Sequence, residues 1–458
     1  MPKVRISGFW PLIRKATGRL SWGIADQGVS SLTNFAVNIF IARELGAVSY
    51  GAFSLAYVTY SFALNASRGL ATDPLLVRFS GVDNRSWRRA VSDCTGTAAV
   101  VGVITGIGVL LTAFALHGSL KYAFIALGLT LPGLLLQDSW RFSFFAAGRG
   151  GQALVNDAIW GVVLVPCLVM LKLTHHVSVF WFLLAWGLSA TAAALVGPLQ
   201  ARVLPRPMNT LSWISAHRDL GPRYLLEGTA NSASTQIRNY AVSIILGLAA
   251  VGYVQAASTL MGPFMVIFFG MGLVTLPEAA RVLRRSPHHF VKFCTLVSAG
   301  LSLAGILWVG TLLVTLPMGL GHVMLGSLWR PTYPLVLPLG ICTIGGCISA
   351  GAGTGLHALG ASKRSLRAML YNAVLFVATG VVGAYLGGAR GTMDGAAVAG
   401  ILGATIFWWE LRQALREHHA TANTTSPVPV DVSDEAELGE LRPEQGLSAV
   451  PASERDSA

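Results

Sequence analysis

The sequence predicts an all-α polytopic membrane protein with about 12 transmembrane helices in two six-helix bundles, related by a pseudo-two-fold axis along the membrane normal. Three observations predict it: an apolar composition cut into helix-length runs, a regular alternation of Lys and Arg between successive loops, and an internal repeat. Of 458 residues, 53% are hydrophobic and 12% charged, with a mean hydropathy of +0.59, which excludes a set of soluble domains. Five cysteines (Cys94, Cys167, Cys294, Cys342, Cys347) are scattered through apolar runs without the spacing of a zinc site or a disulfide framework, and read as small packing residues.

Crossing ~30 Å of hydrocarbon takes about 20 apolar residues per helix. Twelve runs meet that length: 20–42, 48–67, 92–116, 121–140, 153–173, 178–199, 224–247, 252–276, 292–316, 333–356, 366–387 and 392–411. The first and seventh are the most polar. The basic opening (Lys3, Arg5, Arg14, Lys15, Arg19) is followed by a long, polar-flecked run without an obvious small-residue cleavage site, so the first run is expected to stay as a membrane helix. Pro74, Pro132, Pro166, Pro263 and Pro338 mark candidate bends.

The net charge of +12 is largely topology. Lys and Arg number 5 before residue 20, 5 in 68–89, 2 in 141–149, 4 in 202–223, 4 in 281–292, 3 in 363–367 and 4 in 412–455. The alternate loops hold only Arg43, Lys121, Lys172, Arg330 and Arg390, which places both termini in the cytoplasm and removes the need for a nucleic-acid partner. The expected organisation is a basic cytoplasmic N-terminus (1–19), a bundle (20–200), a cytoplasmic linker (201–223), a second bundle (224–414) and a tail (415–458). From His418 the chain holds eight acidic and two basic residues and four prolines, too little apolar pattern for a core, so the tail is expected to be disordered.

The repeat appears at an offset near 200 residues. Asn34-Phe35-Ala36-Val37 aligns with Asn239-Tyr240-Ala241-Val242, and Val48, Tyr50, Gly69, Thr72, Pro74 and Arg78 align with Val251, Tyr253, Gly272, Thr275, Pro277 and Arg281. Ala147-Gly148 before the fifth helix resembles Leu359-Gly360 before the eleventh. Six helices per half start both halves on the same side, hence the axis along the membrane normal.

Polar residues inside the runs mark the candidate site, because a charge at mid-bilayer costs roughly 2.5 to 3.5 kcal/mol on insertion scales. In the first helix Gln27, Ser31, Asn34 and Asn38 share a stripe with Asp26, Ser30 and Thr33 beside it; in the seventh, Glu227, Asn231, Ser234 and Arg238 share a face. The repeat superimposes Asp26 on Asn231, Ser30 on Thr235 and Thr33 on Arg238, which outlines a polar cavity between the bundles. Arg238 offers fixed, permanently charged donors suited to an anionic head group; the competing reading is an ion pair with Asp26 or Glu227. Asp26 has a second role open to it, carrying the proton of an antiporter. Asp157 with Asn156, and Asp138 with Arg141, read as interfacial anchors or interhelical contacts. Gly351-Ala352-Gly353-Thr354-Gly355 lacks the strand and Lys-Ser/Thr of a nucleotide loop, and the adjacent pairs His175-His176, His288-His289 and His418-His419 lack helical metal-site spacing. No cofactor, metal, catalytic constellation or ATP-binding domain is expected, so the protein is not expected to be an enzyme, and any transport is expected to run on an ion gradient, the membrane potential or the substrate's own gradient.

Ile41-Ala42-Arg43-Glu44-Leu45-Gly46 followed by Tyr50-Gly51-Ala52-Phe53 resembles the first helical hairpin of the polysaccharide-transporter (Wzx-like) flippases of the multidrug/oligosaccharidyl-lipid/polysaccharide (MOP) exporter superfamily. Ala358-Leu359-Gly360 with Lys363-Arg364 is similar to that family's loop after the tenth helix, and the resemblance spans about residues 15–415. It implies a flippase of the bacterial cytoplasmic membrane that moves undecaprenyl-pyrophosphate-linked glycan by alternating access, for cell-surface polysaccharide, with lipid-linked oligosaccharide and membrane lipids as partners. Glycosyltransferases and a polysaccharide polymerase are further implied partners. The resemblance assigns Arg238 to the pyrophosphate and Asn34, Asn38 and Asn231 to the sugar, and Gln27 and Thr235 complete the candidate substrate contacts. Asp26 and Glu227 are the candidate ion-coupling residues. This family's members often carry several intramembrane arginines, whereas here the helices offer one, which keeps two alternatives open: a related multidrug and toxin extrusion (MATE) antiporter using Asp26, and a non-transporting scaffold of a polysaccharide-assembly complex.

Overall fold

The computed structural model describes residues 35–424, apart from the side chains of 221–232, 273–274 and 419–424. Among the described residues the chain is helical, with no strand. The first helix, α1, is described over 35–44. α2 runs Ala47–Ser67, passes through a π-helical turn at Arg68–Thr72 and continues as Asp73–Phe79. α3 (Asn84–Phe114), α4 (Gly118–Ala146), α5 (Gly150–Leu173) and α6 (Val179–Ala201) complete the first lobe. A linker with a short helix, Thr210–Ala216, leads to α7 (Gly221–Leu246).

In the second lobe α8 is Leu248–Leu260 and, after a break at Met261, Gly262–Arg285. α9 is Phe290–Thr315 and α10 is Trp329–Ala358. The stretch Ser362–Thr424 is divided by non-helical Gly387 and Gly388 into α11 (362–386) and α12 (389–424). The second to twelfth apolar runs each fall on one helix, and the described end of the first reaches residue 44. The body ends at Ala414 and a second unit starts at Leu415; α12 continues to Thr424, and the rest of the acidic tail lies outside the described residues.

Local chemistry sets the helix ends. Asp83 caps α3, accepting from the backbone N–H groups of Ser86 at 2.9 Å and Arg85 at 3.0 Å, and these bonds hold its carboxyl below the usual carboxylate range. α4 and α10 both stop at a left-handed glycine, Gly148 (φ 68°) and Gly360 (φ 69°). The following N–H folds back in each case, Arg149 onto the Phe144 carbonyl at 2.8 Å and Ala361 onto the Leu356 carbonyl at 3.0 Å. These are the glycines the repeat aligned: both halves stop equivalent helices by the same device.

The first lobe packs around α4, whose Trp140 and Phe144 are fully buried, with Gly197 of α6 packed against the Trp140 ring. The lobes meet where α2 crosses α8. A Cβ on Gly51 would overlap the Leu248 carbonyl oxygen and one on Gly252 the Ala47 carbonyl, so only glycine lets the two backbones close. Tyr50 and Thr259 share a hydroxyl hydrogen bond at 3.1 Å, and Thr59 and Tyr240 one at 2.5 Å. Arg43 donates to the Val323 carbonyl at 3.1 Å, and Glu44 pairs with Lys172 at 2.6 Å. Apart from Glu44–Lys172, which lies within the first lobe, these bonds join the lobes from the end of the molecule that carries the α1–α2 turn inwards along α2. At the opposite end, the linker side, the interlobe contacts include α7 packed along the last third of α2.

Candidate substrate site

Charged side chains inside the body fall into two kinds. The first is paired. Arg68, at the start of the π turn, holds Asp138 of α4 by two bonds of 2.9 and 2.7 Å, with its guanidinium 4.7 Å from the Phe142 ring centre. Arg141 lies 3.3 Å from Asp157, whose carboxylate also accepts from Gln137 at 2.8 Å. Gln137 donates in addition to Asn156 at 3.3 Å, and Asn156 donates to the Ala193 carbonyl and to Gln200, each at 2.9 Å. Glu410 of α12 is fully enclosed between Arg364 at 2.7 Å and Arg367 at 2.6 Å. Each of these three buried carboxylates therefore has arginine beside it.

The second kind is Arg238 on α7. It is 3% exposed, and two of its nitrogens, Nε and Nη1, have no hydrogen-bond partner among the described residues. Nη2 reaches Asn239 Oδ1 at 3.3 Å, and the guanidinium lies 4.3 Å from the centre of the Phe376 ring on α11. Its stem fills the space left by Gly380, where a Cβ would come within 2.8 Å of Arg238 Cδ. The stripe was expected to face the other bundle; the described contacts of Arg238 lie on α7 itself and on α11 of its own lobe.

The other expected residues are placed as follows. Thr235, three residues earlier on α7, is exposed. Asn38 is half-buried on α1 and engaged in the structure. Asn231 and Glu227 lie on α7 with side chains outside the description, and Asp26, Gln27 and Asn34 lie outside the described residues.

Sequence reasoning missed Arg68, which reads as a loop residue because Asp73, Pro74 and Arg78 follow it. The signal lay in its partner: an aspartate buried in α4 calls for a cation from a neighbouring helix. An aromatic cluster on the same α2 face, Tyr57 and Tyr60 around Trp186 with ring centres 6.0 and 4.9 Å away, was also missed. A separate cavity of about 470 Å³ opens beside the start of α2 between Ser49, Ser119, Tyr122, Ser178 and Trp181; it has no charged lining and holds none of the expected residues.

The described residues include seven helical stretches long and apolar enough to cross a membrane, arranged in two lobes, which makes this a polytopic membrane fold. No family model matches the chain, and neither does any curated protein. Solved structures do. The chain is similar to an inward-facing multidrug resistance MATE family transporter of the MOP superfamily (15% identity, 87% of this chain and 96% of that one, TM-score 0.69). It is similar to the lipid II flippase MurJ in an inward closed conformation (13% identity, 86% and 87%, TM-score 0.63). An outward-facing MATE family transporter of the superfamily matches with TM-score 0.53 at 15% identity over 86% and 94%. The chain thus has the fold of the MOP-superfamily transporters, a fold that serves both exporters and lipid flippases.

Proposed function

We propose that the protein is a flippase that carries a lipid-linked oligosaccharide across the bacterial cytoplasmic membrane, with its linker side in the cytoplasm. The observation that carries this reading is the balance of buried charge. Asp138, Asp157 and Glu410 are each matched by arginine, whereas Arg238 has no acidic partner among the described residues. A cation exporter needs a carboxylate available to its cargo; a buried guanidinium with no acidic partner among the described residues suits the pyrophosphate of a polyprenyl carrier. Asn38, Asn231 and Thr235, with Asn34 and Gln27 of the first helix, supply amide and hydroxyl groups for the sugar, and a lipid-linked substrate places glycosyltransferases before the step and a polymerase after it. The likeness to a lipid II flippase supports the lipid-linked class without naming the glycan.

The test is outer-leaflet exposure of a labelled polyprenyl-pyrophosphate oligosaccharide in proteoliposomes. The wild type exposes the label, and Arg238→Ala slows exposure by about tenfold or more, the loss of one charge-assisted contact. No exposure with several glycans, together with proton-coupled efflux of an organic cation that fails in Asp26→Asn, would overturn the proposal in favour of the antiporter.

A further inference from the structure

The last third of α2 contains an irregularity that substrate contacts do not explain. Pro74 has no N–H, so the Leu70 carbonyl, four residues earlier, loses the donor a regular helix would supply, and the proline ring crowds that carbonyl. The chain responds with the π turn Arg68–Thr72. The missing donor comes from 143 residues away: Trp213 Nε1 donates to the Leu70 carbonyl at 3.2 Å. The next carbonyl, Ala71, accepts from the Cys94 thiol of α3 at 3.3 Å.

Trp213 stands on the short helix Thr210–Ala216 of the linker, buried, with its ring centre 4.1 Å from that of His217 and 5.8 Å from that of Phe79. Arg78 fastens the same segment again, donating to the Ala216 carbonyl at 3.0 Å and to Asp219 at 2.6 Å. α7 begins at Gly221, two residues beyond Asp219. The linker is thus tied to the turn that orients Arg68 and is continuous with the first helix of the second lobe. A π turn differs from an α turn by one residue of register, about 100° of rotation between the two halves of α2. The two-bond clasp of Arg68 on Asp138 does not survive such a rotation.

We propose that Trp213 is a positioning residue for transport: its indole N–H holds the α2 turn in the π form and so keeps Arg68 on Asp138. When α7 moves against the first lobe, the linker withdraws the indole, the turn tightens, and Arg68 is released from Asp138. The inference rests on the transporter reading, and its decisive readout is independent of transport.

Trp213→Phe keeps an aromatic ring against His217 and Phe79 and removes the donor. In the purified full-length protein, amide hydrogen exchange over residues 68–76 should quicken by about five- to tenfold, the factor for one net hydrogen bond, with α5 unchanged. Pro74→Ala restores an N–H to Leu70, so the double variant should exchange as slowly as the wild type. In proteoliposomes Pro74→Ala, with its turn held in the α form and Arg68 off Asp138, should transport more slowly than the wild type. Unchanged exchange in Trp213→Phe, or a faster exchange that Pro74→Ala does not reverse, would overturn the proposal and leave Trp213 a packing residue. Normal exchange behaviour with no glycan exposure by the wild type would instead count against the flippase reading alone.

Discussion

Arg238 and Glu410 are both buried charged residues, and their surroundings predict opposite responses to neutralisation. Glu410 is held by two arginines, one of them with its side chain 45% exposed, so Glu410→Gln leaves cations short of an acid and should lower stability by about 1–3 kcal/mol, reduced by the solvent that reaches Arg367. Transport by the variant that remains folded should stay near the wild-type rate. Arg238 has no such support among the described residues, only Asn239, the Phe376 ring and space made by Gly380. Replacing a buried, poorly compensated ion by a hydrophobe of similar volume is neutral or stabilising by about 1–4 kcal/mol. Arg238→Met should therefore melt no lower than the wild type while glycan exposure is lost. Thermal melting in detergent beside the proteoliposome assay checks both; a lower melting temperature for Arg238→Met would identify Arg238 as a structural residue with an acidic partner, the competing ion-pair reading.

The crossing of α2 and α8 carries the hairpin segment on which the family resemblance rests, and the structure gives that segment a physical task. Ile41 and Ala42 are buried, Arg43 reaches the other lobe, Glu44 binds α5, Tyr50 bonds Thr259, and Gly51 lets α2 touch α8. Gly51→Val places side-chain atoms where the Leu248 carbonyl stands, so the lobes should part at that end. Spin labels at His117→Cys and Val323→Cys, in a background without the native cysteines, should show a longer component, on the order of 5 Å beyond the wild-type distance. An unchanged distribution would mean that this crossing does not set the closed end. The helices themselves were legible from sequence because the bilayer fixes their length and hydropathy. The continuation of α2 to Phe79 was not: Arg68, Asp73 and Pro74 in close succession are loop signals, and what keeps them helical is supplied by Asp138 and Trp213, 70 and 143 residues away. The surroundings of the candidate residue Arg238 were not legible for the same reason. The cost of a charge in lipid singled out Arg238, but periodicity gives a face without its neighbour, and only the packing shows that the neighbour is α11.

For the whole molecule, orientation and conformation together decide the direction of transport. The closed end carries Arg43, Glu44, Tyr50 and the start of α8, and the other end carries the linker, with Arg202, Arg206 and Arg218. With the linker side in the cytoplasm, as proposed from its excess of Lys and Arg, this form would receive cargo from within. Labelling of single cysteines in intact cells by a membrane-impermeant maleimide tests the orientation. Met208→Cys, on the linker and 94% exposed, should stay unlabelled until the membrane is permeabilised, whereas Met318→Cys, beyond α9 at the closed end and 79% exposed, should label at once. The reverse pattern would turn the closed end toward the cytoplasm. The same lobe contacts would then guard the inner face, and a substrate made in the cytoplasm would meet a shut door in this conformation, so the export direction of the flippase would fall with the topology.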